Sequence, residues 1–242
     1  MISNNFGEIF FSVNKKIKHI SVKILPAGLQ VNLPVGVSEK EALRFIETKR
    51  TVILKKQQKL RQSLDNQLIV SPEKPLKTLT FTVKPIAAER TDVFFLLKNN
   101  ILTIEFPKGK DCQTREMQKI FFNGINYFLR KEAKRLLPAR LKYLADVHGF
   151  TFHKVTIKSA TSRWGSCARS KKNILQTQYS INLSFYLLLT TPQLIDYVLL
   201  HELCHTREMN HSPRFWLLMD KVTNGASKAL RAELKKYQMP KF

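Results

Sequence analysis

The alternation of apolar and polar positions divides the chain into two β-rich stretches, a long helical stretch, and a closing third in which strands and helices mix. From about residue 8 to 34 the period is two, as a half-buried strand requires. Phe10, Phe11 and Val13 lead to a basic turn at Asn14-Lys15-Lys16. Ile20, Val22 and Ile24 then alternate with His19, Ser21 and Lys23, and Leu29, Val31 and Leu33 alternate again after the turn signal Pro26-Ala27-Gly28. Ser38 stands three residues before Glu41, the spacing of a capping box, and predicts a helix that Leu43, Ile46, Val52, Ile53 and Leu54 carry to about Leu64. A second β-rich stretch takes in Leu79, Phe81 and Val83, then Val93-Phe94-Phe95-Leu96, then Leu102, Ile104 and Phe106. Pro107-Lys108-Gly109-Lys110 reads as a boundary, so residues 1–107 are expected to form a β-rich basic region and 108–242 a second domain. Beyond it one long helix is expected from about Thr114 to His148, with Phe121-Phe122 and Leu136-Leu137 as core positions. A break or kink is expected at Pro138, where proline removes a donor and crowds the preceding turn. The last third reads as a strand through Phe152, Val155 and Ile157, a compact loop or strand end at Ser162-Arg163-Trp164-Gly165-Ser166-Cys167, and a further strand from Ile174 to Leu183. Thr191 then caps a helix that has Pro192 at its first position. The predicted class is α+β.

Composition changes this picture in one respect. The 242 residues include 41 Lys and Arg against 18 Asp and Glu, a formal net charge of +23. A field of that sign attracts nucleic acid, anionic membrane or acidic partners, although the basic residues are spread along most of the chain and no nucleic-acid-binding motif accompanies them. The start of the chain, Met1 to Glu8, has no basic head and leads into no long apolar run, so no secretory signal is expected. Runs such as Tyr186-Leu187-Leu188-Leu189 are far too short for a membrane span. Cys112, Cys167 and Cys204 are too few and too scattered for a disulfide scaffold, and a cytoplasmic setting is expected.

The candidate chemistry lies on the Thr191 helix, at His201-Glu202-Leu203-Cys204-His205. At about 100° per residue, His201 and His205 fall one turn apart on one face and can offer two imidazole nitrogens to one metal ion. Glu202 can reach a water in the ion's open position, whose pKa zinc lowers to about 7. Leu194 and Val198 begin the stripe that His201 and His205 continue, with Ile195, Leu199 and Glu202 beside it, so the polar groups are carried inward. Burying them without partners is costly, and a metal removes that cost. A catalytic zinc needs a third protein ligand. His211 is the leading candidate, six residues past His205, the offset of the metzincins, although Glu208 stands where those proteins place glycine. For His211 to reach the others the chain must turn first, and Met209-Asn210-His211-Ser212-Pro213 reads as a helix stop, a ligand-bearing turn, and a restart with Ser212 as cap. Glu208, Asp220 and Glu233 are the alternatives.

These stretches resemble the YgjP-like metallopeptidase family, which is related to the SprT-type zincins. The resemblance rests on Ser162 to Cys167, Asp196 to His205, and Asn210-His211-Ser212-Pro213-Arg214-Phe215-Trp216, and extends to Ser21–Leu60, so that it covers nearly the whole chain. It implies a zincin-like catalytic domain with one Zn2+ held by His201, His205 and His211, with Glu202 as acid and base, acting on a protein or peptide substrate. Two positions depart from the pattern: Cys204 stands where such helices often have alanine, and Asn182 to Phe185 matches the family's strand end loosely. Arg163, Trp164, Gly165 and Ser166 are candidates for the substrate-binding edge, since zincins take peptides as an added strand. Within that group Trp164, like Trp216, is expected to pack, and Gly165 to allow a tight turn or a close backbone approach. The alternative to a peptidase is a nucleic-acid-associated protein, one that acts on DNA-bound proteins or whose zinc is mainly structural.

Overall fold

The computed structural model describes residues 5–65, 68–173 and 176–240, with backbone alone at 62–65, 170–173 and 176–177. The chain divides into two compact units, Met1–Leu68 and Ile69–Phe242.

In the first unit, β3 (Gly28–Leu33) is the middle strand of three, with β1 (Glu8–Val13) parallel on one side and β2 (Ser21–Ile24) antiparallel on the other. The alternation expected from sequence is realised here: Leu29, Val31 and Leu33 are buried, and Phe6, Ala42, Ile46 and Ile53 share their core. The predicted capping box is present at Ser38 and Glu41. The single helix expected beyond it is two, α1 (Glu39–Thr48) and α2 (Arg50–Asp65). The Thr48 hydroxyl donates back to the Phe45 carbonyl and competes with continuation of the backbone ladder. On α2 the buried Gln57 amide reaches the carbonyls of Phe6, Leu25 and Gly28.

The second unit holds two sheets and the remaining helices. The first sheet runs β4 (Leu76–Lys77), β5 (Thr82–Ala88), β7 (Ile101–Pro107), β6 (Phe94–Lys98), with β5 and β7 parallel and β6 and β7 antiparallel. Asn99 and Asn100, both at positive φ, make the two-residue turn between β6 and β7, a conformation asparagine tolerates. Phe81, Val83, Leu102, Ile104 and Phe106 share one core with Phe121, Phe122, Ile125 and Leu129 of α3 (Arg115–His148). This shared core moves the division of the chain to Leu68 and Ile69, ahead of the boundary expected at Pro107 to Lys110. The second β-rich stretch belongs with the helix that buries its apolar face. Helix α3 is continuous through Pro138, without the expected break. The buried Ala133, Leu137 and Leu141 anchor the turns on either side of the proline, and tertiary packing overrides its local cost.

The second sheet places the site. Its order is β8 (Lys154–Lys158), β10 (Gln176–Ser184), β9 (Gly165–Asn173), with β8 parallel and β9 antiparallel to β10. The start of the expected strand at Ile174 lies outside the described residues. A 3₁₀ turn at Phe185–Leu189 leads to α4 (Pro192–Cys204), and α5 (Pro213–Val222) and α6 (Ser227–Leu234) follow. Arg140 of α3 makes a two-pronged ion pair with Asp196 of α4, at 2.8 and 2.6 Å. None of the described helices is long and apolar enough to cross a membrane.

Candidate metal centre

Helix α4 starts as the sequence predicts: the Thr191 side chain accepts from the Leu194 N–H, and Pro192 occupies the first turn, where no intrahelical donor is needed. Its burial exceeds one stripe, since Leu194, Ile195, Tyr197, Val198, Leu199, Leu200, Leu203 and Cys204 are all buried. The helix ends at His205, earlier than the stop expected near Asn210, and Asn210 takes no left-handed conformation. The turn is closed by tight bonds instead: Thr206 N–H donates to the Leu203 carbonyl at 2.9 Å and Glu208 N–H to the Cys204 carbonyl at 2.9 Å. The restart is as expected, with Ser212 capping α5 and Pro213 in its first turn. His211 lies in the connection so formed.

The three imidazoles converge. Ring centroids are 4.8 Å apart for His201 and His205, 4.9 Å for His201 and His211, and 4.7 Å for His205 and His211. One ring nitrogen from each lies within 4.8 Å of the others, and among the described residues no other group of His, Cys, Asp and Glu gathers in this way. The Nε2 atoms of His201 and His211 are 3.0 Å apart. Two nitrogens bound tetrahedrally to one zinc at about 2.1 Å would be separated by about 3.4 Å, so little movement is needed. Nδ1 of His205 lies 3.0 Å from the Glu208 carbonyl oxygen. A carbonyl can only accept, so this nitrogen carries the proton and Nε2 keeps its lone pair for a cation.

An aromatic wall supports the rings. The fully buried Phe215 stacks on His205 with centroids 4.6 Å apart and presents its edge to His201 and His211 at 4.9 and 4.8 Å. Trp216 stacks on His211 at 5.7 Å, and the Arg231 guanidinium lies 4.7 Å from the Trp216 ring. Trp216 packs as expected, and Phe215, for which the sequence suggests no role, joins it against the rings. The available signal was their offset of four and five residues from His211, across a helix start.

Burial governs the electrostatics. His201 is pushed down to about 3, first by burial and then by the charges of His205, His211 and Arg231, and burial lowers His205 as well. Neutral imidazoles are the form that ligates a metal. Glu202, 4 % exposed, is pushed up to about 8 by burial, against the nearby Arg163 charge and a hydrogen bond from the Cys167 backbone. Two buried polar atoms, Oε2 of Glu202 and Nδ1 of His201, have no protein partner. Such atoms are nearly always satisfied, and Oε2, beside the three imidazoles, fits a site that a metal ion's water completes, while Nδ1 of His201 lies across the ring from the Nε2 that meets His211.

The Ser162 to Cys167 segment meets this centre at one point. A Cβ on Gly165 would lie 2.5 Å from Oε1 and 2.7 Å from Cγ of Glu202, so the close approach expected of this glycine is made to the carboxylate itself. Arg163 is exposed, with its charge felt at Glu202. Trp164 packs against the core, and its carbonyl accepts from the Ser184 N–H at 2.8 Å. The Ser166 hydroxyl lies 3.4 Å from the Asn182 amide nitrogen. Glu208, Asp220, Glu233 and Cys167 stand outside the converging group, and the Cys167 thiol is pushed up to about 11 by burial and the neighbouring Glu202.

A family model described as YgjP-like, metallopeptidase domain, matches residues 18–237. No curated protein matches the chain. Among solved structures, the crystal structure of the metallopeptidase zymogen of Pyrococcus abyssi abylysin is similar over 44% of this chain and 100% of its own, at 21% identity and a TM-score of 0.35.

Proposed function

Since this chain belongs to the YgjP-like metallopeptidase family, we propose that it is a zinc-dependent peptidase in which His201, His205 and His211 hold the ion and Glu202 is the catalytic acid and base. One observation carries the reading: three imidazole nitrogens lie within 4.8 Å of one another, beside a buried carboxylate whose Oε2 has no protein partner. Zinc in such a site supplies an activated water and polarises the scissile carbonyl. Glu202 takes a proton from the attacking water and passes it to the leaving amine nitrogen. Burial favours the protonated carboxyl that donates to the amine, and a zinc ion beside it would favour the carboxylate that takes the water's proton. Gly165 leaves the space the carboxylate occupies, and the Phe215 ring keeps the three imidazoles in their mutual arrangement.

The test pairs metal analysis with hydrolysis of an unfolded protein substrate. Wild-type protein is expected to hold about one zinc per chain. Glu202→Gln should retain that metal and lose about 10²- to 10⁴-fold in hydrolysis. Undiminished hydrolysis by the metal-loaded variant would remove the mechanism.

A second reading, in which the peptidase acts on proteins bound to nucleic acid, has its own support. On α3 the exposed Lys119, Lys131 and Lys134 take part in none of the described ion pairs, and Tyr127 between them is 64% exposed. A zinc that is only structural has no use for the buried Glu202. The three thiols are free, as a reducing cytoplasm would keep them, and we place the protein there.

A further inference from the structure

We propose that a cleft beside Gly165 is a subsite for an acidic side chain of the peptide substrate, with Lys158 as the cation that selects it; this rests on the peptidase reading above. The cleft has a volume of about 300 Å³ and is walled by the end of β8 (Lys158, with Ala160 beyond it), by Arg163, Gly165 and Ser166, and by the end of β10 from Asn182 to Ser184. That volume suits one side chain with a few waters and is at the small end for a ligand pocket. Its position ties it to the reaction, because Gly165 lines the cleft on one side and touches the Glu202 carboxylate on the other. A substrate chain with its scissile carbonyl at the three histidines would have a neighbouring side chain within reach of this space.

The chemistry of the wall is one-signed. Two cations line the cleft and none of its lining residues is acidic. Neither Lys158 nor Arg163 appears in any of the described ion pairs. Arg163 already acts on Glu202 electrostatically, whereas Lys158, exposed at the strand end, has no such partner. The polar groups sort in the same way. The Ser184 hydroxyl is committed to the Ala160 carbonyl at 2.8 Å, while Ser166 accepts from the Asn182 amide at 3.4 Å and keeps its own proton free to donate. An ammonium, a guanidinium and a hydroxyl donor together recognise a carboxylate, and they repel or leave unpaired a basic side chain.

The test uses peptides that are identical except that Glu, Gln or Lys occupies each position around the centre in turn. Their binding to zinc-loaded Glu202→Gln protein is read by fluorescence anisotropy, and their cleavage by wild type is followed in parallel. At one position Glu should bind about tenfold better than Gln, the scale of a charge-assisted hydrogen bond, and Lys should bind worse than either. Lys158→Gln should remove that preference, Lys158→Glu should reverse it, and Lys158→Arg should keep it. Lys98→Gln, the same loss of charge on β6, should leave it intact, which separates the cleft from the general attraction of a basic protein. Equal binding of Glu and Gln at every position, or a preference that survives Lys158→Gln, overturns the proposal. Absence of any cleavage by zinc-loaded wild type would instead overturn the peptidase reading, with the binding series still deciding the cleft.

Discussion

Glu202 and His201 are neighbours in the chain, and the same burial drives their proton affinities in opposite directions. The carboxyl goes up to about 8 from an ordinary 4.5, and the imidazole goes down to about 3 from an ordinary 6.5. Each is thereby pressed toward its neutral form. In metal-free protein this makes Glu202 a stabilising acid: its contribution is complete below pH 4.5 and is lost as pH rises through about 8. His201 contributes above pH 6.5, and its share is lost as pH falls toward about 3. Thermal melts of the metal-free protein should therefore show a midpoint that falls from about pH 6.5 to about pH 8 in wild type, the interval in which Glu202 titrates and His201 no longer does. Over the same interval Glu202→Gln should hold nearly level. A wild-type midpoint that rises across this range would show that Glu202 is not buried as described. Bound zinc works against the carboxyl's shift, since a divalent cation nearby favours the charged form.

At the scale of elements, the site is a meeting of one helix, one strand end and one turn. Helix α4 delivers two histidines and the glutamate, the turn before α5 delivers His211, and β9 closes on the glutamate at Gly165. The glycine stands at the first residue of an ordinary strand, so alanine is acceptable to the backbone and the cost is steric. The displaced group would be a carboxylate held in a buried position by the Cys167 backbone and attracted by Arg163. Gly165→Ala is accordingly expected to keep its zinc and lose about 10²-fold or more in hydrolysis, the scale of a misplaced general base. Full activity in that variant would mean that Glu202 can work from another position. Phe215 and Trp216 show a similar economy, since one helix turn of α5 both fills the core and backs the three imidazoles.

For the whole molecule, the net charge of +23 is the property that the metal centre leaves unexplained. If nucleic acid is a partner, the exposed lysines of α3 are where its backbone should be felt. Binding to duplex DNA should then fall steeply with salt, and replacing Lys119, Lys131 and Lys134 by Gln should flatten the log–log slope by about 2.7. An unchanged slope would remove α3 as the contact surface, and an absence of binding at low salt would end the nucleic-acid reading. The division at Leu68 and Ile69 gives each unit its own core, with the centre wholly inside the second.

Much of this was legible in the chain alone, because it depends on local rules. Caps at Ser38, Thr191 and Ser212, prolines at helix starts, period-two alternation in β2 and β3, and the four-residue spacing of His201 and His205 all act over a few residues. What only the tertiary structure decided depends on contacts between distant segments. It took the packing of β5 and β7 on α3 to move the unit boundary and to keep α3 whole at Pro138. It took the placement of α5 to set His211 rather than Glu208, Asp220 or Glu233 beside the pair on α4. And it took the approach of β9 to α4 to give Gly165 its reason, because no period or cap in a sequence states which carboxylate will lie against a glycine 37 residues away.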